Sequence, residues 1–301
     1  MTRFPHDQFA KDYLKELLTP LGEVETSRDV AGEVREIDVW FTPVPQSPGD
    51  AQGLGLLGRF AASPSIFEPF RNAVTPSQIR SCMSKLFDVH AELERQAKRE
   101  KTNVQGAALP MLWILSPTAS VPLLNGFKAT LNEDNWMRGV YFLGDFLKTA
   151  LVAIHQLPRT SDTLWLRILG KGRVQQQAVD ELAALPIENP FRSNALELLY
   201  SLRTNLEASQ NLDEEDRELI MRLSPLYEQR LEEATQQGIQ QGQRVVVENL
   251  LRARFGSLDD QLKAIIEPVL SLPSEEFTLL LLQLSSLSRE ELLARFGDSR
   301  R

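Results

Sequence analysis

A nine-residue run from Glu33 to Phe41 constrains the fold of this chain more than any other segment. Its residues alternate in polarity, which is typical of a β-strand, because successive side chains of a strand point to opposite faces of a sheet. Ile37 and Val39 on one face are easily buried, but the other face carries the carboxylate of Asp38 into a run that otherwise resembles core. A buried carboxylate is costly unless it is paired, protonated or bound to a metal. Asp38 is therefore a candidate site residue.

The composition indicates an ordinary globular protein of the cytoplasm. With 301 residues, the chain is long enough for one large domain or two smaller ones. Its hydrophobic fraction of 42% and charged fraction of 25% are typical of soluble proteins. We expect no membrane segment and no secretory signal, because no long apolar run occurs and the N-terminal residues lack an apolar core. The single cysteine, Cys82, excludes internal disulfides and all-cysteine metal sites.

The net charge of −8 limits the ways in which this chain could bind nucleic acid. An acidic molecule repels DNA and RNA as a whole, so DNA as a partner would require a local basic patch. Residues 80–101 contain six Lys or Arg against four Asp or Glu. Such mixed charge is typical of a solvated helix face, and this segment is therefore a weak candidate.

The order of elements in the first half of the chain indicates a mixed α/β sheet. Apolar spacing predicts helices at residues 6–18 and 75–101, the second with a Thr-Pro-Ser-Gln start that fits a capping box. The predicted strands are 23–30, 33–41, 65–71, 109–115, 140–143 and 151–154. Residues 43–53, rich in Pro and Gly, predict a loop, and residues 54–61 a short helix. Pro69 lacks a backbone donor, which argues against a central position for the third strand.

The second half of the chain is predicted to be almost entirely helical. The longest predicted helix runs from the acidic residues 213–216 to Phe255, with a bend at Pro225. Gly238 and Gly242, in its glutamine-rich middle, are poor helix formers and predict a linker. The predicted organisation is an α/β domain at 1–160, a helical extension packed on it at 161–235, a Gln/Gly helical linker at 236–244 and a small helical domain at 245–301.

Three short motifs, together with the element order, resemble one bacterial family. The chain opens with His-Asp-Gln-Phe-Ala-Lys at residues 6–11, and it carries Arg-Glu-Ile-Asp-Val at 35–39 and Ile-Phe-Glu-Pro-Phe at 66–70. These motifs resemble the Rpn family of recombination-promoting nucleases, also named PD-(D/E)XK nuclease-family transposases. The residues at 250–256 resemble part of a small domain of unknown function that is often appended to these proteins.

The resemblance implies a restriction-endonuclease-like αβββαβ core with a mixed sheet, followed by an all-helical C-terminal half. It also implies a Mg²⁺-dependent DNA endonuclease in which Asp38 and Glu68 hold the metal and Lys11 belongs to the catalytic set. Hard oxygen ligands suit Mg²⁺, which supplies the nucleophile and neutralises phosphate charge. The Lys or Gln that follows the glutamate by two residues in the family is Phe70 here, and phenylalanine cannot orient a water. Arg71 is cationic, but only a bulge would turn it to the same side.

Each candidate residue also has a structural interpretation. Asp38 would pair with Arg35 or Arg59, Glu68 would be a surface or edge carboxylate, and Lys11 would be a solvated helix residue. The chain would then be a non-catalytic interaction protein built on a decayed nuclease fold, forming a homo-oligomer through its helical tail. The missing lysine of the motif, the acidic charge and the Gln/Gly segment favour this alternative.

Overall fold

The computed structural model describes residues 5–29, 36–44, 48–102, 109–209, 212–284 and 286–297. The chain forms an α/β fold with a mixed seven-stranded sheet and a helical C-terminal half, which confirms the predicted fold class at that level. Two compact units divide the chain, Met1–Pro225 and Leu226–Arg301. The finer domain boundaries after residues 160, 235 and 244 stay predictions.

The first unit contains all of the strands that the structure describes, and helices alternate with them. The strands are β1 (Gly22–Asp29), β2 (Glu36–Pro43), β3 (Ser65–Pro69), β4 (Met111–Ser116), β5 (Thr130–Leu131), β6 (Val140–Phe142) and β7 (Thr149–Ala153). The helices up to the end of the sheet are α1 (Pro5–Leu18), α2 (Pro48–Gly53), α3 (Gly55–Phe60), α4 (Pro76–Glu100) and α5 (Val121–Gly126). The later helices are α6 (Leu164–Arg167), α7 (Arg173–Ala183), α8 (Arg192–Glu207), α9 (Glu214–Phe255), α10 (Asp260–Ala264), α11 (Ile266–Leu270), α12 (Ser274–Gln283) and α13 (Arg289–Phe296).

The strands lie in the order β1-β2-β3-β4-β7-β6-β5. The pairs β1–β2 and β2–β3 are antiparallel, β3–β4 and β4–β7 are parallel, and β7–β6 and β6–β5 are antiparallel again. The connection from β3 to β4 contains α4, as a parallel crossover requires. Nearly every residue of β3, β4 and β7 is buried, which is typical of parallel strands that are covered on both faces.

Helix α1 lies against β1, β2, β3 and α8. Its apolar residues recur every three or four positions, so that Tyr13, Leu14 and Leu17 form one buried stripe. The hydroxyl of Tyr13 donates to the carbonyl oxygen of Trp165 at 3.0 Å, which satisfies the one polar atom of that buried side chain. This bond ties α1 to α6, while packing holds the helix against β1, β2 and β3.

Helix α4 begins as the sequence predicts, with a capping box between Thr75 and Gln78. Its buried residues Ile79, Cys82 and Leu86 follow the helical period and pack into the core that also contains residues of β2, β3 and β4. This packing directs one face of α4 toward the sheet where β3 ends. The orientation of α4 therefore decides which of its polar side chains reach β3.

Two local predictions in the first unit are wrong. Residues 48–53 form helix α2, although the run 43–53 predicted a loop. β3 lies in the centre of the sheet, although Pro69 argued against that position. Its ladder with β2 ends at Phe67, so the missing donor of Pro69 falls beyond that ladder. Residues 31 and 32, between the first two predicted strands, lie outside the described residues.

The second unit has an apolar core of its own. It is built from α9 to α13 and consists of Val247, Leu251, Leu262, Ile265, Ile266, Val269, Phe277, Leu280, Leu284, Leu292 and Phe296. Helix α9 runs unbroken through Gly238 and Gly242, so the predicted Gln/Gly linker is helical. Ser288 and Glu291 form a capping box at the start of α13. In the described part of the chain, no helix has both the length and the apolar character that crossing a membrane requires.

Candidate functional site

Asp38 and Glu68 occupy neighbouring positions on β2 and β3. The antiparallel register pairs Val39 with Phe67, and one further step along each strand brings Asp38 opposite Glu68. Residues at opposite positions of an antiparallel pair project to the same face of the sheet. The structure thus brings together the two carboxylates that the sequence singled out.

The Glu68 side chain is held by a lysine that sequence reasoning missed. Lys85 of α4 places its Nζ 2.7 Å from Oε1 and 2.8 Å from Oε2 of Glu68. The same ammonium donates to the carbonyl oxygen of Glu36 at 2.8 Å, and so it links α4 to both β2 and β3. A signal was available in the sequence, since Lys85 follows Cys82 by three positions and adjoins the apolar face of α4.

Glu68 is only 2% exposed, and this burial disfavours its ionised form. Desolvation, together with the nearby charge of Asp38, raises the pKa of Glu68 to about 7, although Lys85 opposes the shift. Cys82 places its Sγ 3.7 Å from Oε2 of Glu68. Burial and the charge of Glu68 raise the pKa of the Cys82 thiol, so the thiol keeps its proton and donates a hydrogen bond to the carboxylate. Glu68 is therefore a core carboxylate, and its interpretation as a surface or edge residue is wrong.

Asp38 is held from the other side by Lys11 of α1. The Nζ of Lys11 lies 2.9 Å from Oδ1 of Asp38 and 3.1 Å from Oδ2 of Asp7, one helical turn earlier. Burial alone would lower the pKa of Lys11, but hydrogen bonds and charge from Asp38 and Asp7 outweigh it and raise that pKa. Lys11 is buried and paired, so its interpretation as a solvated helix residue is wrong.

The proposed arginine partners of Asp38 have different outcomes. Arg59 stacks on the ring of Trp136, with its Cζ 3.8 Å from the ring centroid. The prediction that Arg59 pairs with Asp38 is therefore wrong. Arg35 lies outside the described residues. The cation that contacts Asp38 in the described structure is Lys11.

Phe70 and Arg71 leave the strand in different directions. Phe70 follows the end of β3, donates its backbone N–H to Leu115 at 2.8 Å and packs its ring against the core. Arg71 donates from Nη2 to Oδ1 of Asp216 at 2.6 Å and from Nη1 to Oε1 of Gln175 at 3.2 Å. The guanidinium is therefore committed to α9 and α7 rather than to the carboxylate pair.

His6 completes a second polar cluster with Arg71 and Asp216. Its Nε2 lies 2.8 Å from Oδ1 of Asp216. Burial and the neighbouring charge of Arg71 lower the pKa of His6, and the charge of Asp216 only partly offsets them. His6 is thus neutral near pH 7, and its contact with Asp216 is a hydrogen bond that ties the first turn of α1 to the first turn of α9.

One cavity of about 820 Å³ collects these groups. It lies within the first unit and is large enough for a nucleotide-sized ligand. Its polar lining comprises His6, Asp7, Asp38, Glu68, Arg71, Asn72, Gln78, Ser81, Cys82, Lys85, Gln175, Ser209 and Asp216. Lys85 is one of the lining residues of the cavity, whereas Lys11 contacts Asp38 without being among the described lining residues.

The donor set of the cavity is compatible with Mg²⁺. Mg²⁺ prefers oxygen ligands and typically takes one or two carboxylates from the protein, with water and substrate phosphate completing its shell. Asp38 and Glu68 supply two such carboxylates on one face of the sheet. The described residues contain no group of three or more His, Cys, Asp or Glu side chains that could hold a metal. A metal here would therefore depend on this pair and on the substrate.

Comparisons of the chain with protein-family models, with curated proteins and with solved structures found no match.

Proposed function

We propose that this chain is a Mg²⁺-dependent DNA endonuclease of the Rpn type, with its active site at Asp38 and Glu68. One observation carries the proposal. Two carboxylates stand opposite each other on adjacent strands at the wall of a cavity, and a lysine from α4 contacts one of them. Paired carboxylates with a neighbouring cation are the groups that metal-assisted phosphodiester hydrolysis requires.

In this proposal, Asp38 and Glu68 hold the metal. Mg²⁺ would supply Lewis acidity and an activated water at the phosphodiester. Glu68, with its pKa of about 7, must lose its proton before it can act as a ligand. Metal binding is therefore expected to strengthen as the pH rises through 7.

Lys85 takes the role that Phe70 cannot fill. Its ammonium reaches the Glu68 carboxylate from the helix rather than from the strand, and it faces the cavity. A cation at this place can orient a water or stabilise negative charge on a phosphate oxygen. Lys11 acts as a positioning residue, because its ion pair holds the Asp38 carboxylate in place on β2.

A second function is favoured by one feature of the same cluster. Each carboxylate already has a lysine counterion, Lys11 for Asp38 and Lys85 for Glu68. Buried charges that are paired in this way are satisfied without a metal. The cluster would then be a remnant of a nuclease fold, and the protein would act as a non-catalytic interaction module.

Nicking of supercoiled plasmid DNA in the presence of Mg²⁺ distinguishes the two functions. We expect the wild type to nick the plasmid, Asp38→Ala to abolish nicking, and Lys85→Met to reduce it about 100-fold or more. Lys98→Met is the matched control, because Lys98 is an exposed lysine of the same helix. Equal nicking by wild type and Asp38→Ala would contradict the proposal. The absence of nicking by the wild type, together with no Mg²⁺ binding by calorimetry near pH 8, would favour the non-catalytic function.

A further inference from the structure

The middle of α9 is exposed to solvent on all sides in the described structure. Every described side chain between Leu231 and Gln241 is exposed, and no residue from Ala234 to Gln243 carries a charge. The segment contains Gly238 and Gly242. It lies wholly within the second unit.

Such a segment has little reason to remain helical by itself. Glycine is among the least favourable residues in a helix interior, and an uncharged stretch has no ion pairs between successive turns to compensate. Isolated helices of this kind are marginal in water, and helical stability normally comes from packing of one face. A partner that packs against this part of α9 is therefore expected.

Six apolar or small residues between Leu231 and Val246 share one face. At about 100° per residue, they fall within an arc of about 120°. The set is Leu231, Gly238, Ile239, Gly242, Val245 and Val246. Leu231 and Ile239 are 56% and 50% exposed. A Cβ added at either glycine would meet no atom within 4 Å, so another backbone can approach this face closely.

The charges that flank this face identify the partner. Its uncharged middle offers nothing to nucleic acid or to a strongly charged protein. Glu228 and Arg252 lie at its two ends, each 12 residues from Gln240, and both are exposed. Arg252 has only a loose contact of 3.4 Å with Glu248 of the same helix. An antiparallel second copy centred on Gln240 would place Glu228 of each chain beside Arg252 of the other.

We propose that two copies of this chain associate through antiparallel packing of α9 across this face. Ile239 of one copy would fill the space above the glycines of the other. The two Glu228–Arg252 pairs would set the direction and the register, as flanking charges do in paired helices. This inference is independent of the nuclease proposal, because it uses no residue of the cavity.

Sedimentation equilibrium of the full chain, from about 1 to 100 µM, tests the association. We expect the wild type to form dimers in this range and Ile239→Glu to weaken them at least tenfold, since it places two carboxylates in the centre of the contact. Gln240→Glu is the matched control, because it adds the same charge on the opposite side of the helix and should leave the dimer unchanged. A wild type that stays monomeric throughout, or an equal loss in both variants, would overturn the proposal.

A charge exchange tests the antiparallel arrangement without touching any packed residue. Glu228→Arg and Arg252→Glu should each weaken the dimer about three- to tenfold, because each creates two like-charge contacts. The double variant should restore wild-type association. Failure of the double variant to recover would exclude the antiparallel pairing. Both side chains are exposed, so these variants should fold like the wild type, which circular dichroism checks.

Discussion

Two regions of the molecule place side chains against their usual preference, in opposite ways. The carboxylate–lysine cluster in the first unit buries charges, and the middle of α9 in the second unit exposes apolar side chains. In the cluster, Glu68 is taken out of water and contacts Lys85 and Cys82. In α9, apolar side chains such as Ile239, which is 50% exposed, remain in contact with water. A buried charge must find its partners within the fold, because desolvation is costly. Exposing an apolar face costs less free energy than burying an unpaired charge, and such a face is available to bind a second molecule.

The comparison predicts that single substitutions have large effects on stability in the cluster and small effects in α9. The largest effect is expected for Lys85→Met, which leaves the Glu68 carboxylate buried without its cation. We expect a loss of about 3 kcal/mol in unfolding free energy near pH 8, and a smaller loss near pH 5, where Glu68 takes up a proton. Chemical denaturation at both pH values measures this.

Two controls make the Lys85 result specific. Lys98→Met, on the exposed side of α4, should change the unfolding free energy by less than about 0.5 kcal/mol. Adding Glu68→Gln to Lys85→Met should recover most of the loss, because no charge is then left unpaired. A Lys85→Met protein as stable as the wild type would mean that Glu68 does not depend on this lysine.

The pH dependence of stability should carry the signature of Glu68. Its pKa is raised from 4.5 to about 7 in the fold, so between these values the folded state holds a proton that the unfolded state has lost. The unfolding free energy should therefore fall as the pH rises from 4.5 to 7, by about 3 kcal/mol, and should not change further above 7 on account of this group. The measurement is the difference between wild type and Glu68→Gln across this range. A difference that does not vary with pH would show that the Glu68 carboxylate is already ionised throughout.

Asp38→Asn should have an intermediate effect. Lys11 would lose the partner at 2.9 Å but would keep Asp7 at 3.1 Å, so its ammonium would not be left alone. We expect a loss of about 1 to 2 kcal/mol by chemical denaturation near pH 7. Asp88→Asn on the exposed face of α4 serves as the matched control and should be nearly neutral. A loss as large as that of Lys85→Met would place Asp38 in the same class of buried charge as Glu68.

The smallest effect is expected in α9. Gly238→Ala should raise the unfolding free energy of the second unit by up to about 1 kcal/mol, because alanine favours the helix and its methyl group meets no atom within 4 Å. Thermal unfolding at low protein concentration, below the range in which dimers form, measures this. A destabilising effect there would mean that the glycine is required by contacts within its own chain.

The sequence predicted most of the local structure for identifiable reasons. The capping box at Thr75 and the apolar period of α1 and α4 are local signals, and the helices begin and run where these signals place them. Alternation in the run from Glu33 to Phe41 predicted a strand, and β2 occupies its described part. The loop prediction for residues 48–53 was wrong because Pro and Gly suggest a loop, whereas a helix can begin at a proline.

The sequence alone also marked Asp38 as unusual, because a carboxylate within an apolar run needs a partner wherever the run is buried, whereas Glu68 was named only through the family resemblance. Only the tertiary structure decided what those partners are. Lys85 reaches Glu68 across 17 positions of sequence, and His6 reaches Asp216 across 210. Strand register and the packing angle of α4 determine which side chains meet, and neither is encoded in a local pattern. Local periodicity therefore identified Asp38 as a residue that needed explanation, and long-range packing supplied the cations that pair with Asp38 and Glu68.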